Sequence, residues 1–351
     1  MTMQLIPEWH PADAVVLAWP TEQTDWAPWL ERAQSTYVKL IEEINAANAG
    51  VILLCAEATI PRVRQLLCPE QRVLIVSAQY NDTWVRDYGF LTVAAKPHNR
   101  PIEFVFNGWG NKFDATLDNQ VNQRYLAQMC LAPIASSRMV AEGGALEIDG
   151  QGHLLSTASC LFNPERNGSA TTEDYSAEFA KLIGQAQFTI FENGHLEGDD
   201  TDGHIDTLAR FTPNKGIVVQ ASRNRPDDKH FAGLEALVDE CNSSLNDHEV
   251  FTLPLPFIEN EDGERLPASY ANYLICNDKV LAPVYNQPED EATIETLNQA
   301  YPEHDIVPVD CSVLVQQFGS LHCITMQVPT NTLKPSVVSQ LHKGVTIYEA
   351  E

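Results

Sequence analysis

Basic residues are scarce in this 351-residue chain: 22 Lys+Arg stand against 48 Asp+Glu, a formal net charge of −26. A surface of that sign repels phosphate backbones and anionic lipid headgroups, which argues against nucleic-acid and membrane-surface binding. Paired cysteines are missing too. The eight Cys residues (55, 68, 130, 160, 241, 276, 311 and 323) include no CxxC spacing, so neither a zinc ribbon nor a thioredoxin-type motif is expected. No apolar run approaches the ~18 residues of a membrane span. The N-terminal stretch MTMQLIPEWHPADAVVLAWP lacks a basic segment followed by an apolar one, so no secretory signal is read there. A cytoplasmic protein with reduced thiols is the expectation. No low-complexity tract or Ser/Gly linker divides the chain, and one domain over residues 1–351 is expected.

What is present suits a packed enzyme. The sequence is 44% hydrophobic and carries six Trp, ten Tyr and 13 Phe, enough for a sizeable core. A strongly acidic cleft would concentrate a cationic small molecule, although acidity also serves solubility. Three segments read as hairpins: residues 142–161 turning at Asp149-Gly150, residues 204–222 turning at 213–216, and residues 270–285 turning at Asn277-Asp278. Between and around them, helical spacing of apolar residues predicts helices near 26–47, 119–130, 172–183, 228–241 and 290–300. Polar openings precede the strands at Asp87, Glu142, His204, Asn272 and Cys323. A recurrence every ~60 residues suggests a ring of similar strand–helix units, each burying its apolar face on its neighbours.

Four segments carry chemistry. Residues 81–90 crowd Trp84, Arg86 and Asp87; alone this reads as a turn with an ion pair, or as a cation site where Asp87 accepts hydrogen bonds and Trp84 offers an aromatic face. Glu142-Gly-Gly144 sets a carboxylate before a backbone that something can approach closely. Residues 194–206 hold five carboxylates and two histidines, yet match neither the EF-hand nor HExxH. A solvated acidic loop and a metal loop both remain open readings there. His204 and Asp206, two apart in an apparent strand, are expected to share a face and to suit proton transfer to a nitrogen leaving group. Cys323 opens an apolar segment after a Gly-Ser turn, where a nucleophile would be presented; any one cysteine is otherwise an inert core residue. One thiol, one histidine and three carboxylates suit a guanidinium, whose N–H fork carboxylates accept bidentately.

The ordered motifs Pro7-Glu-Trp-His-Pro, Leu17-Ala-Trp-Pro20, Trp84-Val-Arg-Asp87, Phe106-Asn-Gly-Trp-Gly110, Glu142-Gly-Gly144, Thr201-Asp-Gly-His-Ile-Asp206 and His322-Cys-Ile-Thr325 make the chain resemble the agmatine deiminases and the related bacterial peptidylarginine deiminases. The resemblance implies an α/β pentein fan of five ββαβ-type units with pseudo-fivefold symmetry. It implies Cys323 as nucleophile, His204 as general acid/base, and Asp87, Glu142 and Asp206 as guanidinium-binding carboxylates, with Trp84 and Trp109 beside the substrate. No metal or other cofactor is implied. The reaction is hydrolysis of agmatine to N-carbamoylputrescine and ammonia, a step toward putrescine; peptidylarginine or another arginine derivative is the alternative substrate, and a metal-dependent hydrolase on residues 195–206 the alternative mechanism. The run Phe318-Gly-Ser-Leu321 departs from the Gly-Gly-Gly-Asn-Ile-type run usual in agmatine-specific members. The expected partner is a cationic small molecule, and a homodimer or higher homo-oligomer is compatible with the sequence.

Overall fold

The computed structural model describes residues 3–349. It is an α/β protein with five mixed sheets. Four sheets share one local plan. A short strand runs antiparallel to a second, and the second pairs parallel with a third reached through a helical crossover. Leu91–Ala94, Arg100–Val105 and Ala135–Val140 form the first such set. Glu147–Ile148, His153–Thr157 and Gln187–Phe191 form the next. Ala209–Phe211, Gly216–Gln220 and Glu249–Leu253 follow. Leu274–Cys276, Lys279–Val284 and Asp305–Asp310 complete the four. The remaining sheet draws on distant parts of the chain: Met326–Pro329 pairs antiparallel with Ala12–Ala18, which pairs parallel with Gly50–Cys55.

The crossovers are amphipathic for plain reasons. Leu30–Ala46 buries Ala33, Tyr37, Leu40, Ile41 and Ile44, a three-to-four residue stripe. Thr172–Ile183 buries Tyr175, Phe179 and Ile183, and a capping box between Thr171 and Asp174 fixes its start. Gly50–Cys55 is buried throughout, as a parallel strand covered on both faces must be. Among the described residues no helix is long and apolar enough to cross a membrane.

Two local expectations fail. Residues 119–130 form short 3₁₀ and π turns instead of one helix; Asp118 is used for tertiary hydrogen bonds to the amides of Asn81 and Asp82, so the segment follows that docking. His204 and Asp206 do not share a strand. His204 precedes a 3₁₀ turn, Ile205–Thr207, and the strand starts only at Ala209. The turn brings both side chains inward by curvature where a pleat would have used alternation.

Candidate active site

The five polar openings each sit just before the strand that runs antiparallel to the middle strand of its set. Asp87 lies in a four-residue helical turn, Val85–Tyr88, Glu142 before the turn Gly143–Ala145, and His204 before Ile205–Thr207. Asn272 and Cys323 precede the strands Leu274–Cys276 and Met326–Pro329. Turns leave side chains unpaired with any ladder, and here all five meet within one region.

A cavity of about 330 Å³ is lined by Asp87, Asp206, Cys323, Trp84, Trp109 and Phe318, among others. Cys323 Sγ lies 3.3 Å from Asn272 Oδ1 and 4.0 Å from Asp206 Oδ2. Asp87 is fixed through both oxygens: the Gly144 amide donates to Oδ1 at 2.9 Å and Trp109 Nε1 donates to Oδ2 at 2.9 Å. Trp109 thus shapes the carboxylate as well as the wall. Trp84 donates Nε1 to Asp82 and packs on Trp26. His204 Nδ1 is 3.6 Å from Asp87 Oδ1, and its Nε2 is 3.9 Å from Glu142 Oε2.

Glu142 takes a different place from the one the sequence suggests. It is not on the cavity wall; it stands behind His204, with Arg166 Nε donating to both oxygens at 2.9 and 3.1 Å. Arg166 is itself tied to Asp202 at 2.6 Å. A carboxylate so held is poised to orient the imidazole. The 195–206 segment also resolves: Asp199 caps Thr201 and Gly203, Asp202 meets Lys112 and Arg166, and Asp206 faces His322. These carboxylates serve separate partners and do not converge on one point.

Several participants escaped sequence reasoning. His322 Nδ1 lies 2.6 Å from Asp206 Oδ2, and Nε2 lies 2.7 Å from Glu8 Oε1. Glu8 also meets Arg86 and Arg210, and Arg210 Nε donates to Glu147 at 2.8 Å. The cavity floor therefore rests on a buried network of ionic groups, in which a missing partner would leave an uncompensated charge. The nearest signal was His322 beside Cys323; nothing local pointed to Glu8 or Arg166.

The electrostatics follow from burial. Desolvation, then the Asp206 and Asp87 charges, push the Cys323 thiol well above its ordinary value. Burial and Asp206 raise Asp87, against the hydrogen bond from Trp109. Asp206 is also buried, but the hydrogen bond and charge of His322 more than offset this and hold it below the usual carboxylate range. Burial drives His204 down to about 3, so it is neutral near pH 7. The cavity wall carries Asp87, Asp206 and the Cys323 thiol, with the neutral His204 imidazole beside Asp87, an arrangement that a bound cation would stabilise.

Gly144 is the tightest point. A Cβ there would lie 2.7 Å from His204 Nδ1, 2.8 Å from Asp87 Oδ1 and 3.0 Å from Asp206 Oδ2. Gly144→Ala is expected to lower kcat/KM by ~10²-fold, because side chains at a reacting centre tolerate little displacement. The melting temperature should fall as well, since Asp87, hydrogen-bonded through both oxygens, and the buried His204 and Asp206 must give way. Wild-type kcat/KM in a folded Gly144→Ala protein would contradict this packing. Gly319 plays a similar part at the mouth, where a Cβ would fall 2.3 Å from Trp84 Cζ3.

The model of the Porphyromonas-type peptidyl-arginine deiminase family matches residues 4–329. A protein of Vibrio parahaemolyticus serotype O3:K6 named "Putative agmatine deiminase" is 31% identical over 348 residues, 92% of this chain and 95% of its own. A solved structure of a Cys-to-Ser variant of C. jejuni agmatine deiminase with substrate bound aligns at 29% identity and TM-score 0.86, covering 95% of this chain and 97% of that one. A Porphyromonas gingivalis structure titled "Putative Arginine Deiminase" aligns at 35% identity and TM-score 0.87, covering 95% and 100%. These matches define the class, a hydrolase of guanidino C–N bonds. The chain belongs to the Porphyromonas-type peptidyl-arginine deiminase family.

Proposed function

We propose that the protein is an agmatine deiminase: a single catalytic domain, a pentein fan with its five units around a pseudo-fivefold axis, acting without a metal. The observation that carries the substrate reading is the sign of the cavity. Its lining includes eight aspartates, and no Lys, Arg or His among the described residues. Free arginine would bury its carboxylate against this wall with no cationic partner, a costly arrangement. Arg86 and Arg210 are committed to Glu8, and Arg223 pairs with Glu235 on the surface. Agmatine instead ends in a second cation, which the acidic wall accepts.

Asp87 and Asp206 hold the guanidinium over Cys323, with Trp84 and Trp109 as flanking walls. The bound charge offsets the repulsion that keeps the thiol protonated. The thiol proton then moves to His204, and Sγ adds to the guanidinium carbon. The imidazolium formed is stabilised by Glu142, which Arg166 orients. His204 returns the proton to the departing nitrogen, ammonia leaves, and a thiouronium remains on Cys323. Water, deprotonated by His204, adds to the same carbon; collapse breaks the C–S bond, the hydroxyl proton passes to solvent, and His204 returns its proton to the departing thiolate, which gives the neutral ureido product and the resting thiol. One difficult displacement becomes two easier ones.

Ammonia release from agmatine, arginine, methylated arginines and arginyl peptides tests the reading, with agmatine expected to give the highest kcat/KM. A preference for arginine or a peptide would overturn the substrate while leaving the chemistry. Two carboxylate variants separate binding from proton transfer. Asp87→Asn loses a charge-assisted bond worth ~1.5–3 kcal/mol, so KM should rise about ten- to a hundredfold. Glu142→Gln touches no substrate in this scheme and should lower kcat with a smaller change in KM. Equal behaviour of the two variants would contradict the placement of Glu142 behind His204.

A further inference from the structure

Behind the imidazole, away from the cavity, Glu142 and His204 adjoin a thiol that the reaction leaves unused. Glu142, Cys160 and His204 each offer one ligand atom, and these atoms all lie within 4.8 Å of one another. Cys160 belongs to the short helical turn Ala158–Leu161 and is fully buried. His204 Nε2 is buried and has no hydrogen-bond partner. A polar nitrogen left bare in the interior, aimed at a carboxylate and a thiol, calls for an explanation.

We propose that Glu142, Cys160 and His204 form an inhibitory site for a borderline-soft divalent cation, with Zn²⁺ the best fit. The inference rests on the reading of His204 as the acid/base. Thiolate, imidazole and carboxylate are the usual zinc donors, and three of them leave a fourth position for water. Donors around a tetrahedral zinc stand ~3.3–3.7 Å apart; the 3.9 Å between His204 Nε2 and Glu142 Oε2 is close to that. Arg166 does not block the site, because each carboxylate oxygen has a second lone pair. Charge also balances. Binding releases the Cys160 proton to solvent, and Zn²⁺ with Arg166 then faces Glu142, the Cys160 thiolate and Asp202. A metal on Nε2 occupies the lone pair of a neutral imidazole, so His204 can no longer accept a proton. Turnover stops while the substrate cavity stays open.

The test uses the full-length protein and two readouts. In the first, ammonia release from agmatine is titrated with buffered free Zn²⁺. Wild type is expected to be inhibited without competition from agmatine. Cys160→Ser and Cys160→Ala keep basal activity but should need more than about tenfold more Zn²⁺, as expected for loss of a ligand. In the second, Co²⁺ is the probe of a thiolate ligand: its sulfur-to-metal absorption should appear in wild type and in Cys323→Ser, and be absent from both Cys160 variants. The opposite pattern, with the band lost in Cys323→Ser and kept without Cys160, would place the metal on the cavity thiol and overturn the proposal. A Cys160-dependent band with undiminished turnover would overturn the inhibitory role and implicate the acid/base reading of His204. Absence of deiminase activity in metal-free protein would instead overturn the proposed function, independently of the cobalt result.

Discussion

Cys323→Ser is expected to fold normally and to release less than about a hundredth of the ammonia of the wild type. Serine preserves the size of the side chain and the contact with Asn272 Oδ1, which lies 3.3 Å from Sγ. What it loses is an acidic proton. Burial, Asp206 and Asp87 already hold the thiol up, so the enzyme depends on substrate charge to reach the thiolate, and an alcohol lies far beyond that help. The same argument orders the alkylating reagents. Neutral iodoacetamide should prefer the exposed Cys68, whereas a cationic haloacetamidine at pH 7 should modify Cys323 and be blocked by agmatine. Intact mass and peptide mapping read both. Turnover above about a hundredth in Cys323→Ser would remove the nucleophile assignment.

The second large effect belongs to His204. In His204→Ala, kcat should fall by ~10²–10⁴, the span of general acid–base catalysis. Cys323 should still be alkylated by the haloacetamidine, since the proposed guanidinium site at Asp87 and Asp206 is intact. If His204 were only a packed residue, the loss would appear in stability and spare the rate per folded molecule. Stability has its own pH signature. Burial lowers the folded pKa of His204 to about 3 from 6.5, so between those values the unfolded chain binds the additional proton. Native His204 therefore costs stability as pH falls through that window, and His204→Ala should lose less stability on acidification than wild type does. Thermal melts from pH 7 to pH 4 measure the difference. A folded His204→Ala protein with near-normal turnover would exclude the proposed role.

Local features were legible in the sequence because their causes are local. The helices Thr172–Ile183 and Asp290–Ala300 begin and end where the apolar spacing placed them. The hairpin at Asn277-Asp278 forms with Asn277 in the left-handed region that such a turn needs. The periodic polar openings marked the strand entries of successive sheets, so the position of Cys323 at a strand mouth could be read without neighbours. The shape of those entries could not. A His-x-Asp spacing looks the same in a strand and in a 3₁₀ turn, and the choice at 204–206 is made by tertiary packing. Pairing was equally hidden: Glu142 finds Arg166, and His322 finds Glu8 from the far end of the chain. A carboxylate's task depends on what faces it, and the Arg166 contact that holds Glu142 beside His204 has no local sign in the sequence.

The sheet entered just after Cys323 bears on how the protein is made. Ala12–Ala18 leaves the ribosome about 300 residues ahead of its antiparallel neighbour Met326–Pro329. At ~5–20 residues per second, that edge waits on the order of tens of seconds without a partner. A bare apolar edge invites pairing with other nascent chains. The four intervening sheets can form as the chain emerges, but Cys323, the proposed nucleophile, enters its position only at closure. With Cys323 as the proposed nucleophile, activity reports on synthesis past that residue: a chain stalled between residues 272 and 323 holds the other four polar openings and lacks the thiol, and one edge of its Ala12–Ala18 strand is unpaired.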